Sequence, residues 1–162
     1  MNRATEKIER GNPFNQTKLL QRGFDNKKNN APVATGRKRI LVVDDDNGIL
    51  AVLLYLLRDM DFDVEVAENG YEARELFMNG AFDLVMTDLQ MPGMNGWELA
   101  FNIKKMSPGT PVVLITGAEK DMVEAGKDFH HVDSVLFKPF KVEIFKDMVY
   151  SLVENHSTST ST

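Results

Sequence analysis

Five short apolar segments recur along the chain, each followed at once by polar residues, with helix-like segments between them. The first is Arg39 to Val43, which precedes three aspartates. Short apolar runs of this kind are typical of strands that are buried on both faces of a sheet. Strands that alternate with helices favour a parallel sheet covered on both faces. The sequence therefore predicts an α/β protein with a doubly wound, five-stranded parallel sheet flanked by five helices.

The same pattern predicts where each element lies. Strands are expected near 39–43, 64–66, 82–87, 111–115 and 134–137, and helices near 49–60, 71–78, 97–106, 119–129 and 144–152. Right-handed crossovers bring the C-terminal ends of parallel strands to one edge of the sheet. In open α/β sheets that edge carries the ligand site, so the residues that follow the strands are the candidates for function.

Three carboxylates, one hydroxyl and one ammonium are predicted to share this edge. Asp44 and Asp45 follow the first strand, Asp88 the third, Thr116 the fourth and Lys138 the fifth. Carboxylates about 5 Å apart repel each other by roughly 3 kcal/mol at an effective dielectric constant of 20, so they hold protons or bind a cation. Oxygen ligands at a partly open site favour Mg²⁺, which also binds phosphate oxygens. The set suits phosphoryl transfer to a carboxylate.

Composition and hydropathy narrow the range of functions. The chain has no cysteine, which excludes disulfides, thiolate metal sites and cysteine nucleophiles. The longest apolar stretch, 49–57, is about half of the ~20 residues that span a bilayer. The polar N-terminus lacks a signal region, so we expect a cytoplasmic protein that does not enter a membrane.

Charge divides the 162-residue chain into two parts. Residues 1–39 contain 10 Lys and Arg against 3 Asp and Glu, whereas residues 40–162 contain 9 against 21. We predict a basic, flexible arm over 1–36, a globular domain over 37–155 and a disordered Ser/Thr-rich tail over 156–162. The arm could instead bind nucleic acid or a partner protein, or pack on the acidic domain. Nucleic acid is not the expected partner, although the basic residues of 1–39 leave it open.

Four segments, in the order of the predicted strands, resemble the receiver domain of response regulators in two-component signalling. They are 40–46 (ILVVDDD), 82–96 (FDLVMTDLQMPGMNG), 114–117 (LITG) and 137–140 (FKPF). The resemblance covers about 38–154 and implies a flavodoxin-like receiver fold.

The resemblance implies a phosphoacceptor and a metal site at the sheet edge. Asp88 would accept a phosphoryl group from a histidine kinase or a phosphotransfer protein. Asp45 and Asp88 would bind Mg²⁺ through their side chains and Gln90 through its backbone carbonyl, whereas Asp44 would act mainly through a bound water. The protein would be a signalling domain that assists its own phosphorylation and dephosphorylation, and not an enzyme.

The resemblance also implies a response to phosphorylation. Lys138, before a Pro139 that the family often holds in the cis form, would neutralise one phosphoryl oxygen, and Thr116 would hydrogen-bond another. The Thr then moves inward and repacks the face of helix four, strand five and helix five, here within 117–150, where a downstream target protein docks. A phosphorylation-dependent homodimer is also compatible with the family. No output domain is expected after helix five, unless the chain is cut from a larger protein.

Two segments depart from the family's common pattern. Val135 stands where many members have an aromatic residue that moves with the Thr, so no aromatic toggle is expected. Residues 129–132 (FHHV) replace the small residues common between helix four and strand five. Because adjacent histidines usually point apart, His130 and His131 are predicted to be loop residues and not metal ligands or phosphoacceptors.

Two rival functions remain open. Asp44 and Asp46, followed by Asn47 and Gly48, resemble the opening motif of haloacid-dehalogenase-like phosphatases, with Asp44 as nucleophile and Asp46 as general acid. However, Gly48 stands where that family has Thr or Val, and no acidic pair follows Lys138 to complete its metal site. The second rival is a degenerate receiver that acts only as a docking module, which the presence of all five key residues disfavours.

Overall fold

The computed structural model describes residues 36–118, 123 and 129–155. The strands are β1 (Arg39–Val43), β2 (Asp63–Ala67), β3 (Leu84–Thr87), β4 (Val112–Thr116) and β5 (Ser134–Phe137). The helices are α1 (Asn47–Asp59), α2 (Gly70–Asn79), α3 (Gly96–Met106) and α4 (Val142–Asn155), together with a short 3₁₀ helix at Phe129–His131. None of the described helices has both the length and the apolar character that a membrane span requires.

These elements confirm the predicted α/β class, and each predicted strand is present to within two residues at either end. The largest difference is the start of β3, which the sequence placed at Phe82. The ring of Phe82 instead stacks on Phe77, with 5.9 Å between ring centroids, and the strand begins at Leu84. The arm up to residue 35, the tail from 156 and most of the helix predicted over 119–129 lie outside the described residues. The helix predicted to be the fifth is α4.

The five strands form one parallel sheet in the order β2-β1-β3-β4-β5. The chain therefore moves outward from β1 to β2, returns past β1 to β3 and continues to the opposite edge. The point where the strand order reverses lies between β1 and β3, which is where ligands bind in open α/β sheets. The register places Val43 of β1 beside Thr87 of β3. The residues that follow these two strands are consequently neighbours.

Helices cover both faces of the sheet because successive strand residues point to opposite sides. Ile40 and Val42 of β1 pack in a cluster with residues of α1 and α4, among them Leu50, Leu53, Leu57, Phe145 and Val149. Leu41 and Val43 pack in a second cluster with residues of α2 and α3, among them Ala73, Phe77, Leu99 and Ile103. Burying both faces fixes the strand ends in place.

Short polar caps connect the strands to the helices. The carboxylate of Asp46 accepts hydrogen bonds from the amides of Gly48 (2.7 Å) and Ile49 (3.1 Å), which caps α1. The side chains of Asn69 and Asn95 cap α2 and α3 in the same way. Such caps satisfy amides that have no partner inside the helix, so each loop at this edge has a defined path.

Candidate functional site

Asp44 and Asp88 lie side by side at the C-terminal edge of the sheet. The amide of Asp44 donates to the carbonyl of Ala67 at 3.2 Å, and the amide of Asp88 donates to that of Val43 at 2.8 Å. These bonds extend the strand pairing by one residue past the ends of β1 and β3. Asp44 is 2% exposed and Asp88 7%. Two carboxylates are therefore mostly buried at the point where the strand order reverses.

Lys138 joins these two carboxylates. Its Nζ lies 2.9 Å from Oδ2 of Asp44 and 3.0 Å from Oδ1 of Asp88. Its amide donates to the carbonyl of Thr116 at 2.7 Å, and its peptide bond to Pro139 is cis. The hydrogen bond to Thr116 connects the loop after β5 to the end of β4. The ammonium of Lys138 meanwhile reaches the ends of β1 and β3.

Each carboxylate also accepts a hydrogen bond from a backbone amide two residues further along. Oδ1 of Asp44 accepts from the amide of Asp46 at 2.9 Å, and Oδ2 of Asp88 accepts from that of Gln90 at 2.7 Å. This is the local geometry of an Asx turn. Both carboxylates are thus held between an ammonium and an amide, and carboxylate oxygens retain lone pairs for further ligands.

Burial and the neighbouring hydrogen bonds and charges shift the pKa values of Asp44 and Lys138 in opposite directions. Burial raises the pKa of Asp44, against the lowering effect of the Asp46 amide and of Lys138. Burial lowers the pKa of Lys138, but its hydrogen bonds and its attraction to Asp44 and Asp88 outweigh this, so the pKa is raised. The ammonium therefore remains charged at neutral pH, whereas the buried charge of Asp44 stays costly and would gain from a second cation.

Asp45 and Thr116, the other two residues predicted from the strand ends, lie at the same edge but outside this cluster. Asp45 is exposed. Thr116 is 1% exposed, and its Oγ1 accepts from the amide of Ala118 at 3.1 Å. The structure thus brings together Asp44, Asp88 and Lys138, and it shows no contact of Asp45 or of the Thr116 hydroxyl with these three side chains.

The oxygen donors at this edge fit Mg²⁺. In the part of the chain that the structure describes, no group of three or more His, Asp or Glu side chains is close enough to hold a metal ion. Magnesium, however, takes one or two carboxylates and keeps several waters. Asp44, Asp45 and Asp88 against Lys138 leave two formal negative charges at the edge, which a divalent cation would neutralise.

Sequence reasoning missed the part that Gly96 plays in the site. A Cβ at Gly96 would lie 2.3 Å from the carbonyl oxygen of Asp88 and 2.9 Å from Cα of Leu89. The Gly96 amide donates to the Leu89 carbonyl at 2.9 Å, so α3 starts in direct contact with the end of β3. Gly96 stands at the end of the segment 82–96 in the sequence, and nothing in its spacing indicates a contact with the backbone of Asp88.

Comparison with known proteins assigns most of the described domain to one family. The family model of the response regulator receiver domain matches residues 40–150. A response regulator receiver protein from an Anaeromyxobacter strain is 36% identical over 112 residues, which are 68% of this chain and 47% of that protein. The DNA-binding response regulator MtrA of Mycobacterium tuberculosis is 37% identical over 108 residues, 66% of this chain and 46% of that protein. The chain spans about half the length of these two relatives.

Solved structures show the same fold. The response regulator TrrA from Thermotoga maritima, in complex with Mg²⁺-BeF, has a TM-score of 0.67 and 34% identity, and the match covers 71% of this chain and 98% of that one. A receiver domain from Clostridium thermocellum has a TM-score of 0.69 over 74% of this chain and 97% of that one. At 24% identity the second similarity concerns the fold alone.

Proposed function

The chain belongs to the response regulator receiver family, and from that premise we propose that Asp88 accepts a phosphoryl group from a histidine kinase or a phosphotransfer protein. Receiver domains of this family are the phosphoacceptors of two-component signalling. One observation carries the assignment to this residue. Asp88 is mostly buried at the end of the central strand β3, and its Oδ1 lies 3.0 Å from the ammonium of Lys138.

In the proposed step a carboxylate oxygen of Asp88 attacks the phosphorus of a phosphohistidine. A phosphorus–oxygen bond forms while the phosphorus–nitrogen bond breaks, and the imidazole leaves with the electron pair of that bond. Charge spreads over the three remaining phosphoryl oxygens during the transfer. Lys138 is the described cation closest to Asp88, and its ammonium would neutralise one of those oxygens. The amide of Gln90, which now donates to Oδ2, holds the carboxylate in its orientation.

Mg²⁺ is proposed as the cofactor of this step. Asp45 and Asp88 would bind it through their carboxylates, Gln90 through its backbone carbonyl and Asp44 through a bound water. When bound, the ion would neutralise charge on the phosphoryl oxygens. The two uncompensated negative charges at the edge and the costly buried charge of Asp44 support this assignment. The Mg²⁺ in the related TrrA structure is consistent with it.

We further propose that phosphorylation acts through Thr116. Its hydroxyl oxygen already accepts from the amide of Ala118, so its hydrogen is available to a phosphoryl oxygen. Thr116 is the last residue of β4, and its carbonyl accepts a hydrogen bond from the amide of Lys138. An inward movement of Thr116 would therefore be transmitted to β5 and α4. Together with the predicted helix over 119–129, these elements would form the docking face for a downstream target.

The phosphatase alternative receives no support from the geometry. In that alternative Asp46 would be the general acid, yet its carboxylate accepts two amide hydrogen bonds as the cap of α1. The capping oxygen is therefore engaged with the backbone of α1, whereas a general acid must reach the leaving group of its substrate. The role of Asp46 as the cap of α1 therefore disfavours the phosphatase alternative.

The test is intact-protein mass after incubation with Mg²⁺ and acetyl phosphate. We expect the wild type to gain one phosphoryl group, EDTA to prevent the gain, and Asp88→Asn to gain nothing. Asp59→Asn is the matched control, because Asp59 is exposed on α1 and pairs with Lys146 at the surface. A gain in Asp88→Asn would overturn the assignment. Steady release of phosphate that depends on Asp44 would revive the phosphatase, and failure of the wild type to react with any phosphodonor would indicate a docking module.

A further inference from the structure

A groove rich in aromatic side chains lies between α2 and α3, beside the loop that follows Asp88. Its volume is about 420 Å³, within the range of small-molecule sites. Gly93 and Met94 of the loop line it together with six residues from the neighbouring helices: Tyr71, Trp97, Glu98, Phe101, Asn102 and His131. The proposed phosphoryl chemistry uses none of these residues.

Neighbouring groups hold the rings of the groove although two of them are about half exposed. Tyr71 is 55% exposed and Phe101 48%. The Tyr71 ring lies against Gly93, where a Cβ would come within 2.9 Å of it. The Phe101 ring meets the ring of His131 edge to face, with 5.1 Å between centroids and 76° between planes. Exposed rings grouped in this way often mark a binding site on a soluble protein.

The polar groups of the groove give it a negative charge. One oxygen of Glu98, Oε2, accepts from the amide of Asn95 at 3.0 Å in the cap of α3, which fixes the carboxylate. Its other oxygen, Oε1, accepts no hydrogen bond from the described residues. No Lys or Arg is among the described residues that line the groove. A fixed carboxylate beside three aromatic rings is the chemistry that attracts an organic cation.

We propose that this groove binds a small alkylated ammonium ion. Ring faces attract a cation whose charge is spread over methyl groups, and quaternary ammonium ions are the ligands most often bound in this way. Glu98 would neutralise the charge, and Tyr71, Trp97 and Phe101 would contact the alkyl groups. The excess of acidic residues over 40–162, 21 against 9 basic residues, attracts cations to this domain at long range. Binding does not require phosphorylation of Asp88.

The groove contains its own reporter, because Trp97 is the only tryptophan of the chain. The full chain would be titrated at constant ionic strength with choline and, separately, with 3,3-dimethylbutan-1-ol, which has nearly the same shape but no charge. We expect a saturable change in Trp97 fluorescence with choline and at least tenfold weaker binding of the alcohol. Equal binding of the two probes would overturn the cation assignment, and a response to choline that does not saturate would overturn the site.

Three substitutions in the groove test whether choline binds there. Phe101→Leu and Tyr71→Leu remove one ring each from exposed positions, and Glu98→Gln removes the charge while keeping an acceptor for the cap. Each should weaken choline binding at least fivefold. Tyr55→Leu is the matched control, because Tyr55 is 71% exposed on α1 and does not line the groove. Unchanged binding in all three groove variants, or an equal loss in Tyr55→Leu, would contradict the proposal.

Discussion

The strand that leads to Asp88 and the strand that leads to Lys138 differ in how they are packed. All four residues of β3 are buried, and β3 lies between β1 and β4. In β5 only Leu136 is buried, and the strand forms an edge of the sheet. The candidate acceptor is therefore built on the centre of the core, whereas the lysine that meets it is carried by a strand with fewer packed side chains.

This difference indicates which part of the site can respond to a change of charge. Regions with fewer buried apolar contacts move at lower free-energy cost. If Asp88 accepts a phosphoryl group as proposed, the balance of charge around Lys138 would change, and moving the less packed β5 would cost less free energy than moving β3. The buried β3 would keep the carboxylate of Asp88 in place while β5 shifts.

The largest predicted effect comes from removing the side chain that connects the two regions. Lys138→Met leaves Asp44 and Asp88 mostly buried without their cation, and loss of one partner from a buried pair costs about 3–5 kcal/mol. Urea unfolding of the variant and of wild type at pH 7 without Mg²⁺ measures this loss in the free energy of unfolding. Lys146→Met is the control, because Lys146 pairs with Asp59 at 3.2 Å at the surface, and such pairs contribute about 0–1 kcal/mol. Similar losses in the two variants would show that Lys138 does not stabilise the site.

The same substitution in both strands tests the packing difference directly. Val85→Ala in β3 removes two fully buried methyl groups and should cost about 2 kcal/mol, whereas Val135→Ala in the half-buried β5 should cost roughly 1 kcal/mol. Urea unfolding of both variants under one set of conditions gives the two values. An equal or larger loss in Val135→Ala would show that the edge strand is as tightly held as the centre.

The smallest predicted effect concerns Asp44, whose burial makes the stability of the protein depend on pH. Burial raises the pKa of Asp44 above its ordinary value of 3.8, so the folded chain holds this proton at pH values where the unfolded chain has lost it. Wild type thus gains stability from Asp44 as the pH falls through that window, and at pH 7 the buried charge is unfavourable.

Asp44→Asn should accordingly be slightly more stable than wild type at pH 7 without metal, by less than about 1 kcal/mol. The advantage should shrink as the pH approaches 4. Unfolding in urea at several pH values checks both statements. A variant that is less stable than wild type at pH 7 would mean that the contact with Lys138 outweighs the cost of burial.

The sequence allowed the strand ends to be predicted because burial on both faces leaves a strong apolar signal. Asp44, Asp88 and Lys138 meet as expected, since each directly follows a strand of one parallel sheet. The crowded carboxylates were expected to repel each other. Instead, the ammonium of Lys138 lies within 3.0 Å of both Asp44 and Asp88, and this contact could not be predicted because strand positions do not determine side-chain geometry.

Features that depend on contacts between distant segments could not be predicted. Gly96 contacts the backbone of Asp88, and Tyr71 shares a groove with Phe101. Both depend on how closely a helix approaches its neighbours, which periodicity does not encode. The functional roles predicted for the six site residues also stay predictions: Asp44, Asp45, Asp88, Gln90, Thr116 and Lys138. In a single chain, pattern reasoning places a residue at an edge but does not orient it toward a ligand.

The contacts of Lys138 also determine at which stage of protein synthesis the candidate site can form. They join positions separated by 94 and 50 residues along the chain, so the loops that they close are long and form only with the complete sheet. A nascent chain emerges with both aspartates well before the lysine. A fragment that ends between residues 88 and 138 has both carboxylates and lacks their counter-charge, so the three-residue cluster forms only after nearly the whole domain has left the ribosome.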